Sequence, residues 1–261
     1  MSKNIDFGFV ADIYDDYVNV DFDISFYKSI CKRYKGNILE LMCGTGRVSL
    51  PLIKDGVNLT CIDYSQEMLN IFAKKTMGKN IPLINQDICE LNIDKKFDFI
   101  FIPFNSISEI TDRGKRERAI KRITEHLVDN GDFLITLYNP EYRLISADGN
   151  IKCLGKYDIS DNRTLIVTYY NLYNKFSNLV YGTQFYEIYD NKNKLIDKRF
   201  LNIAFSLIPK DEIDEMCNKF GLEIKELYGD YSFGKFNENS QFMNFLLTKR
   251  AKNKQYNSHS L

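Results

Sequence analysis

The chain has 261 residues, enough to bury a full hydrophobic core, and reads as one domain carrying an elaboration rather than two equal domains. Its 35 Lys and Arg offset 35 Asp and Glu, so there is no net positive field to make nucleic acid a main partner. No apolar run approaches the ~20 residues of a bilayer span, Met1 to Val10 lacks a signal-peptide core, and six scattered cysteines without a C-x-x-C pair read as free thiols. These features argue against a membrane partner and lead to a cytoplasmic expectation.

In chain order, Phe9, Val10, Ile13, Tyr14 and Tyr17 fall at helical spacing, which puts Tyr14 and Tyr17 on one face. A second helix carries Phe26, Tyr27, Ile30, Cys31 and Tyr34 and stops at Lys35-Gly36. Asn37 to Leu52 then runs from an apolar strand, about Ile38 to Met42, through Gly44-Thr45-Gly46 into an apolar-periodic helix. Such a turn lets the backbone approach a ligand while the helix start offers unpaired N–H groups, a nucleotide-type cradle. The dinucleotide fingerprint would want a third glycine, but its place holds Ser49.

Glu40 precedes Gly44 by four residues, and the pattern acidic-x-x-Cys-Gly-x-Gly, Glu40 to Gly46, resembles motif I of class I S-adenosylmethionine (SAM) dependent methyltransferases. Met42 departs from it, standing where many members have another glycine. The resemblance implies SAM as cofactor and S-adenosylhomocysteine as product, without metal. Glu40 would act near the methionine amino group, and Cys43, Gly44, Gly46 and Arg47 would form the turn beneath the cofactor. Tyr14-Asp15, shortly upstream, is similar to a feature of small-molecule members whose N-terminal helices fold over the site.

The first crossover helix carries Val48, Leu52 and Ile53, with Pro51 implying a local distortion. Strand two, Asn58 to Ile62, ends on Asp63, close to the ~20 residues after the glycine turn at which a carboxylate takes ribose hydroxyls. Ser65 is an N-cap, and the resemblance puts Tyr64 and Met68 beside the adenosyl group. Strand three, Pro82 to Asn85, leads to Asp87 and Ile88, which by the resemblance meet the adenine amine and a ring nitrogen. Strand four, Phe97 to Ile102, is apolar apart from Asp98, as a buried parallel strand should be, and ends in Pro103-Phe104-Asn105-Ser106 at the edge where open α/β sheets place ligands.

A helix over Ala119 to Val128 and a turn at Asp129 to Asp132 precede strand five, Phe133 to Tyr138. Arg113, Lys115, Arg116, Arg118, Lys121 and Arg122 alternate with apolar positions and read as a solvated helix face. Asn139-Pro140-Glu141-Tyr142 looks like a motif of amino-group methyltransferases, but follows strand five rather than four and gets no weight. From Gly149 the stretches Thr164 to Tyr170, Leu179 to Tyr189 and Lys194 to Ser206 suggest an inserted antiparallel meander. Alternation sets Tyr181, Phe185 and Tyr189 on one face and Tyr186 and Ile188 on the other, one packing on the core and one free to cover an acceptor pocket. A helix from Pro209 to Phe220 and strands Leu222 to Tyr228 and Phe242 to Lys249 complete the core.

The expected fold is α/β, a Rossmann-like, mostly parallel seven-stranded sheet with an antiparallel last strand. Residues 1–148 form the core with a helical lid, 149–206 the insertion, 207–250 the completion of the core, and 251–261 a disordered tail. Tyr14, Asn105 and Tyr138 are the candidate catalytic residues, and Phe104 joins the cofactor contacts. Of two histidines, His126 reads as structural and His259 lies in the tail, so no histidine base or metal cluster is available. That favours N-methylation of a small amine, with resemblance to amino-sugar and glycine-type N-methyltransferases. Glu109, Glu141 or a tyrosine as base leaves O-methylation open. A non-catalytic SAM-binding protein and an RNA methyltransferase are the rivals, the latter disfavoured by neutral charge. A monomer or homodimer is expected.

Overall fold

The computed structural model describes residues 5–76 and 78–251; the tail expected to be disordered, with His259, lies beyond Ala251 and outside them. A 3₁₀ turn, Phe7–Val10, leads into α1 (Tyr14–Tyr17) and α2 (Ile24–Cys31). Then come β1 (Ile38–Leu41), α3 (Ser49–Lys54), β2 (Leu59–Asp63), α4 (Gln66–Lys75), β3 (Leu83–Asn85) and β4 (Phe97–Ile102). They are followed by α5 (Arg113–His126), β5 (Leu127–Tyr138), α6 (Pro140–Ile145), β6 (Lys152–Ile159), β7 (Arg163–Asn174), β8 (Leu179–Tyr189) and β9 (Leu195–Ser206). The chain returns through α7 (Lys210–Phe220) to β10 (Leu222–Tyr228) and β11 (Phe242–Lys249).

Seven strands pair in the order β10-β11-β5-β4-β1-β2-β3, and β11 runs antiparallel to both neighbours. Every residue of β1 and β2 is buried, as strands covered on both faces require. Ile100, Ile102, Phe133 and Ile135 pack to one side, and Ile38, Phe99, Phe101 and Leu134 to the other. The chain winds outward from β1 to β3 and then crosses back to β4, so the strand order reverses between β1 and β4. At such a reversal the loops beyond the strand ends diverge and leave a crevice.

The elaboration is a four-stranded antiparallel sheet, β6-β7-β8-β9. Leu165, Val167, Tyr186, Ile188, Leu201 and Ile203 on one of its faces close over Val10, Ile13 and Tyr17 of the N-terminal segment. The Tyr17 and Tyr186 hydroxyls lie 3.0 Å apart, and Arg199 clamps Asp12 with two donors at 2.6 and 3.0 Å.

Several local expectations need correction. Strand β6 is absent from the sequence reading, because it is an edge strand in which only Ile159 is buried and whose pattern carries no apolar stripe. Helix α5 ends at His126 and β5 begins at once, with the expected turn absorbed into the strand and Asn130 taking a φ of 61°. Pro51 falls in the first turn of α3, where a helix tolerates proline best. Arg116 leaves the solvated face of α5: it is buried, paired with Glu212 at 2.8 Å and bonded to Ser206 and the Ile110 carbonyl. The elaboration uses one face for both tasks, since the Tyr186 face packs the N-terminal segment and also walls the cavity described next, while Tyr181 is exposed.

Candidate active site

At the crevice, β1 hands over to Met42, which adopts a φ of 58°, and the glycine turn follows with Gly44 at 55° and Gly46 at 86°. A side chain at Gly46 would run into the Phe72 ring, whereas a Cβ on Gly44 would meet nothing within 4 Å. The first glycine therefore keeps a space open, and the second lets α4 pack against the turn. At the end of β2, Asp63 accepts the Gly44 N–H at 2.8 Å and the Ser65 N–H at 2.9 Å. Burial pushes its carboxyl upward while these amides pull it back. Ser65 caps α4 by accepting the Met68 N–H, and Asp87 caps the short turn after β3 by accepting the Cys89 N–H at 2.8 Å.

Two narrow cavities run along this rim and a wider one continues from them. The first, about 30 Å³, is lined by Ile5, Met42, Tyr64, Asp87, Ile88 and Glu109 among others. The second, about 50 Å³, shares Met42, Tyr64 and Glu109 with it and adds Gly44, Asp63, Met68 and Tyr14. The third, about 380 Å³, shares Phe7, Tyr14, Ser106 and Glu109 with the second and is walled by Phe104, Asn105, Tyr138 and Arg143 from the core and by Tyr169, Gln184 and Phe205 from the second sheet. Asp87, Asp63 and the wide cavity thus follow one another along a single edge of the sheet, and Glu109 faces all three spaces.

Other expected site residues are engaged elsewhere. Glu40 is buried in β1 and accepts the Ser49 hydroxyl at 2.6 Å, away from every one of these cavities, and burial lifts its pKa to about 8. Cys43 is buried, and its N–H is held by the Ile62 carbonyl at 3.0 Å. Arg47 turns to the N-terminal segment, where it grips both oxygens of the fully buried Asp23 at 2.6 and 2.7 Å, donates to the Val20 carbonyl and lies 4.4 Å over the Phe104 ring. Thr45 adds a second latch by donating to Asp15 at 2.6 Å, with Lys75 on the other oxygen at 2.6 Å. The Tyr64 hydroxyl donates to the Ile5 carbonyl. Turn and segment are therefore locked together above the two narrow cavities.

The strand-four loop is strained: Phe104 and Asn105 take φ of 59° and 62°. Asn105 tethers β4 to β5, because its Oδ1 accepts the Tyr138 N–H at 3.0 Å and its Nδ2 donates to Ser108 at 2.6 Å. Burial raises the Tyr14 and Tyr138 hydroxyl pKa values. Glu109, in the 3₁₀ turn Ser106–Glu109, is lifted to about 8, first by desolvation and then by Asp63. Glu141 is exposed and does not line the cavities. Asn139 caps α6 and donates to the Glu238 and Ser240 carbonyls, a structural task for the discounted motif. His126 also spends both ring nitrogens on backbone groups, of Ile93 and Arg122. Among the described residues, no group of three or more His, Cys, Asp and Glu is placed to hold a metal.

Sequence reasoning missed Phe7, Arg143 and Gln184 as wall residues. Only the basic residue just after strand five could have signalled one of them.

Residues 38–131 match the family described as methyltransferase domain. A putative methyltransferase of Bacillus subtilis is 23% identical over 209 residues, 76% of this chain and 78% of that protein. Other curated relatives include a cypemycin N-terminal methyltransferase and O-methyltransferases acting on malonyl-[acyl-carrier protein] or in ubiquinone biosynthesis, and the chain spans about half or less of their length. Among solved structures, a SAM-dependent methyltransferase from Clostridium acetobutylicum superposes with a TM-score of 0.76 at 23% identity, covering 94% of this chain and 99% of that one. A sugar N-methyltransferase from Streptoalloteichus gives 0.74 at 17% identity over 92% of each chain.

Proposed function

We propose that this chain, a SAM-dependent methyltransferase by its matched domain and its class I fold, transfers the methyl group to an amine nitrogen of a small molecule held in the 380 Å³ cavity. The reading assigns the adenosyl group to the two narrow cavities, with Asp87 toward the adenine and Asp63 toward the ribose. The open space over Gly44 and the desolvated carboxylate beside it suit a hydroxyl-bearing ligand. Bound there, the sulfonium supplies an activated methyl carbon for in-line displacement by the acceptor's lone pair. Phe7 and Tyr14 stand between the two spaces, hold the reactants in line and keep water out.

One observation carries the choice of an amine: Glu109 is the carboxylate that borders donor and acceptor spaces alike. Beside an incoming ammonium it ionises, takes one proton from the nitrogen and frees the lone pair for attack. A neutral hydroxyl gives it no such cation to pair with. The test is incubation with SAM and a panel of amines and phenols, following S-adenosylhomocysteine release and locating the new methyl group by mass spectrometry. Methyl groups found only on oxygen would replace this reading by O-methylation.

A further inference from the structure

Arg143 is the wall residue that methyl transfer leaves unused. It stands on α6, just beyond β5, and reaches into the wide cavity, where its guanidinium carbon lies 5.3 Å from the Tyr138 ring centre and 5.4 Å from that of Phe205. Its Nε is buried without a hydrogen-bond partner, and among the described residues no carboxylate pairs with it. The contrast with its counterparts is sharp: Arg47 holds Asp23, Arg116 holds Glu212 and Arg199 holds Asp12. Desolvation moves the Arg143 pKa downward, the direction expected of a cation whose burial no counter-charge repays.

The surroundings suit a planar anion. The two aromatic rings fix the guanidinium, which presents donors in a fork that matches carboxylate or phosphate oxygens. Gln184 shares the cavity wall; its Oε1 already accepts the Tyr186 hydroxyl at 2.6 Å, which leaves its amide N–H groups as further donors. Of the residues that line this cavity, Arg143 is the cation and Glu109 the anion. Glu109 borders the narrow cavities as well and Arg143 does not, so the carboxyl stands toward the cofactor spaces and the guanidinium away from them.

We propose that the acceptor carries, besides its amine, a carboxylate or phosphate oxyanion, and that Arg143 binds this group and thereby determines which acceptors are taken. The inference rests on the assignment of this cavity to the acceptor. A molecule with ammonium and oxyanion at opposite ends then fits one way round, because reversal sets like charges together. A purely structural Arg143 would behave differently, since its removal would lower stability. Here replacement by a neutral side chain removes a guanidinium whose buried Nε has no partner and leaves the free protein about as stable.

The test has two arms. In the first, inorganic phosphate and acetate are titrated separately, at constant ionic strength, into wild type, Arg143→Gln and Arg143→Lys, each saturated with S-adenosylhomocysteine, and the thermal midpoint is read. One anion raises the wild-type midpoint and so tells phosphate from carboxylate; the shift is absent in Arg143→Gln and reduced in Arg143→Lys. The proposal is overturned if neither anion acts on wild type, if both act equally on Arg143→Gln, or if Arg143→Gln alone melts well below wild type.

In the second arm, S-adenosylhomocysteine release is measured on matched pairs, glucosamine 6-phosphate against glucosamine and glycine against glycinamide. The charged member is preferred at least tenfold in kcat/KM, through KM, and Arg143→Gln erases the preference. Turnover of the charged members untouched by that substitution would remove Arg143 from recognition while leaving amine methylation standing. A positive first arm with no amine turned over would retain the anion site and count against amine methylation.

Discussion

The strand-end rim of the seven-stranded sheet and the wall that closes over it are held by different means. On the rim, Gly44, Asp63 and Asp87 sit where a strand turns into a helix, and their contacts are to backbone amides a few residues away or on the neighbouring strand. The wall draws on segments far apart in the chain: Tyr17 meets Tyr186, Asp12 meets Arg199, and Asp23 meets Arg47. The rim is thus fixed by local geometry, and the wall by long-range pairs.

Glu109 belongs to both halves and gives the harshest test of that division. Glu109→Gln is expected to lower kcat by about 10²- to 10⁴-fold while the SAM dissociation constant from calorimetry stays put. Because the carboxyl of the free protein is held near 8 and works as a base only when ionised, the wild-type kcat/KM climbs with pH up to about 8 and then levels. That limb disappears in the variant; a limb that persists would assign it to another group.

Arg47→Met strikes the junction between rim and wall. Asp23 would remain buried without its partner, at a cost of about 3–5 kcal/mol in denaturant unfolding. A loss under 1 kcal/mol would mean that the latch is not what holds the segment down. On the rim alone, Asp63→Ala takes the shared anchor from the Gly44 and Ser65 amides, and SAM affinity should fall about 100-fold, near 3 kcal/mol, with turnover at saturation less affected. In the wall, Tyr14→Phe keeps the ring contacts with Phe7 and Tyr17 and deletes only the hydroxyl; a drop of about 3- to 10-fold in kcat is expected, and unchanged kinetics would confine Tyr14 to packing.

A separate effect, on stability rather than turnover, concerns Glu40. Its folded-state pKa near 8 lies above the usual 4.5, so the native protein keeps a proton that the unfolded chain releases, and stability falls as pH rises between about 4.5 and 8. Glu40→Gln mimics the protonated form and keeps an acceptor for Ser49. Little change in melting at pH 5 and a relative gain at pH 8.5 are expected, and the reverse order would refute the assignment of burial as the cause.

The same division accounts for what could be read from the chain beforehand. The glycine turn, Asp63, Ser65 and Asp87 follow from strand-then-turn spacing, and the seven-stranded order with its antiparallel β11 agrees with that reading. Glu40 opens the motif and Arg47 follows it, but their side chains answer to partners the motif does not contain, Ser49 and Asp23. Arg116 looked solvated because Glu212, which neutralises it, is far along the sequence. Strand β6 escaped because an edge strand needs no apolar periodicity. Arg143 sits in a helix with no buried residue of its own, so only its place just after β5 hinted at a guanidinium turned inward.

The bond from Arg116 to Ser206 reaches further than α5. Ser206 is the last residue of β9, so the second sheet returns to the core at a buried ion pair whose other member, Glu212, opens α7. Transplanting residues 149–206 alone into another chain of this fold would sever that joint unless Arg116 and Glu212 travelled too. As an exchangeable cassette, the sheet has its seam inside the host, not at its own ends.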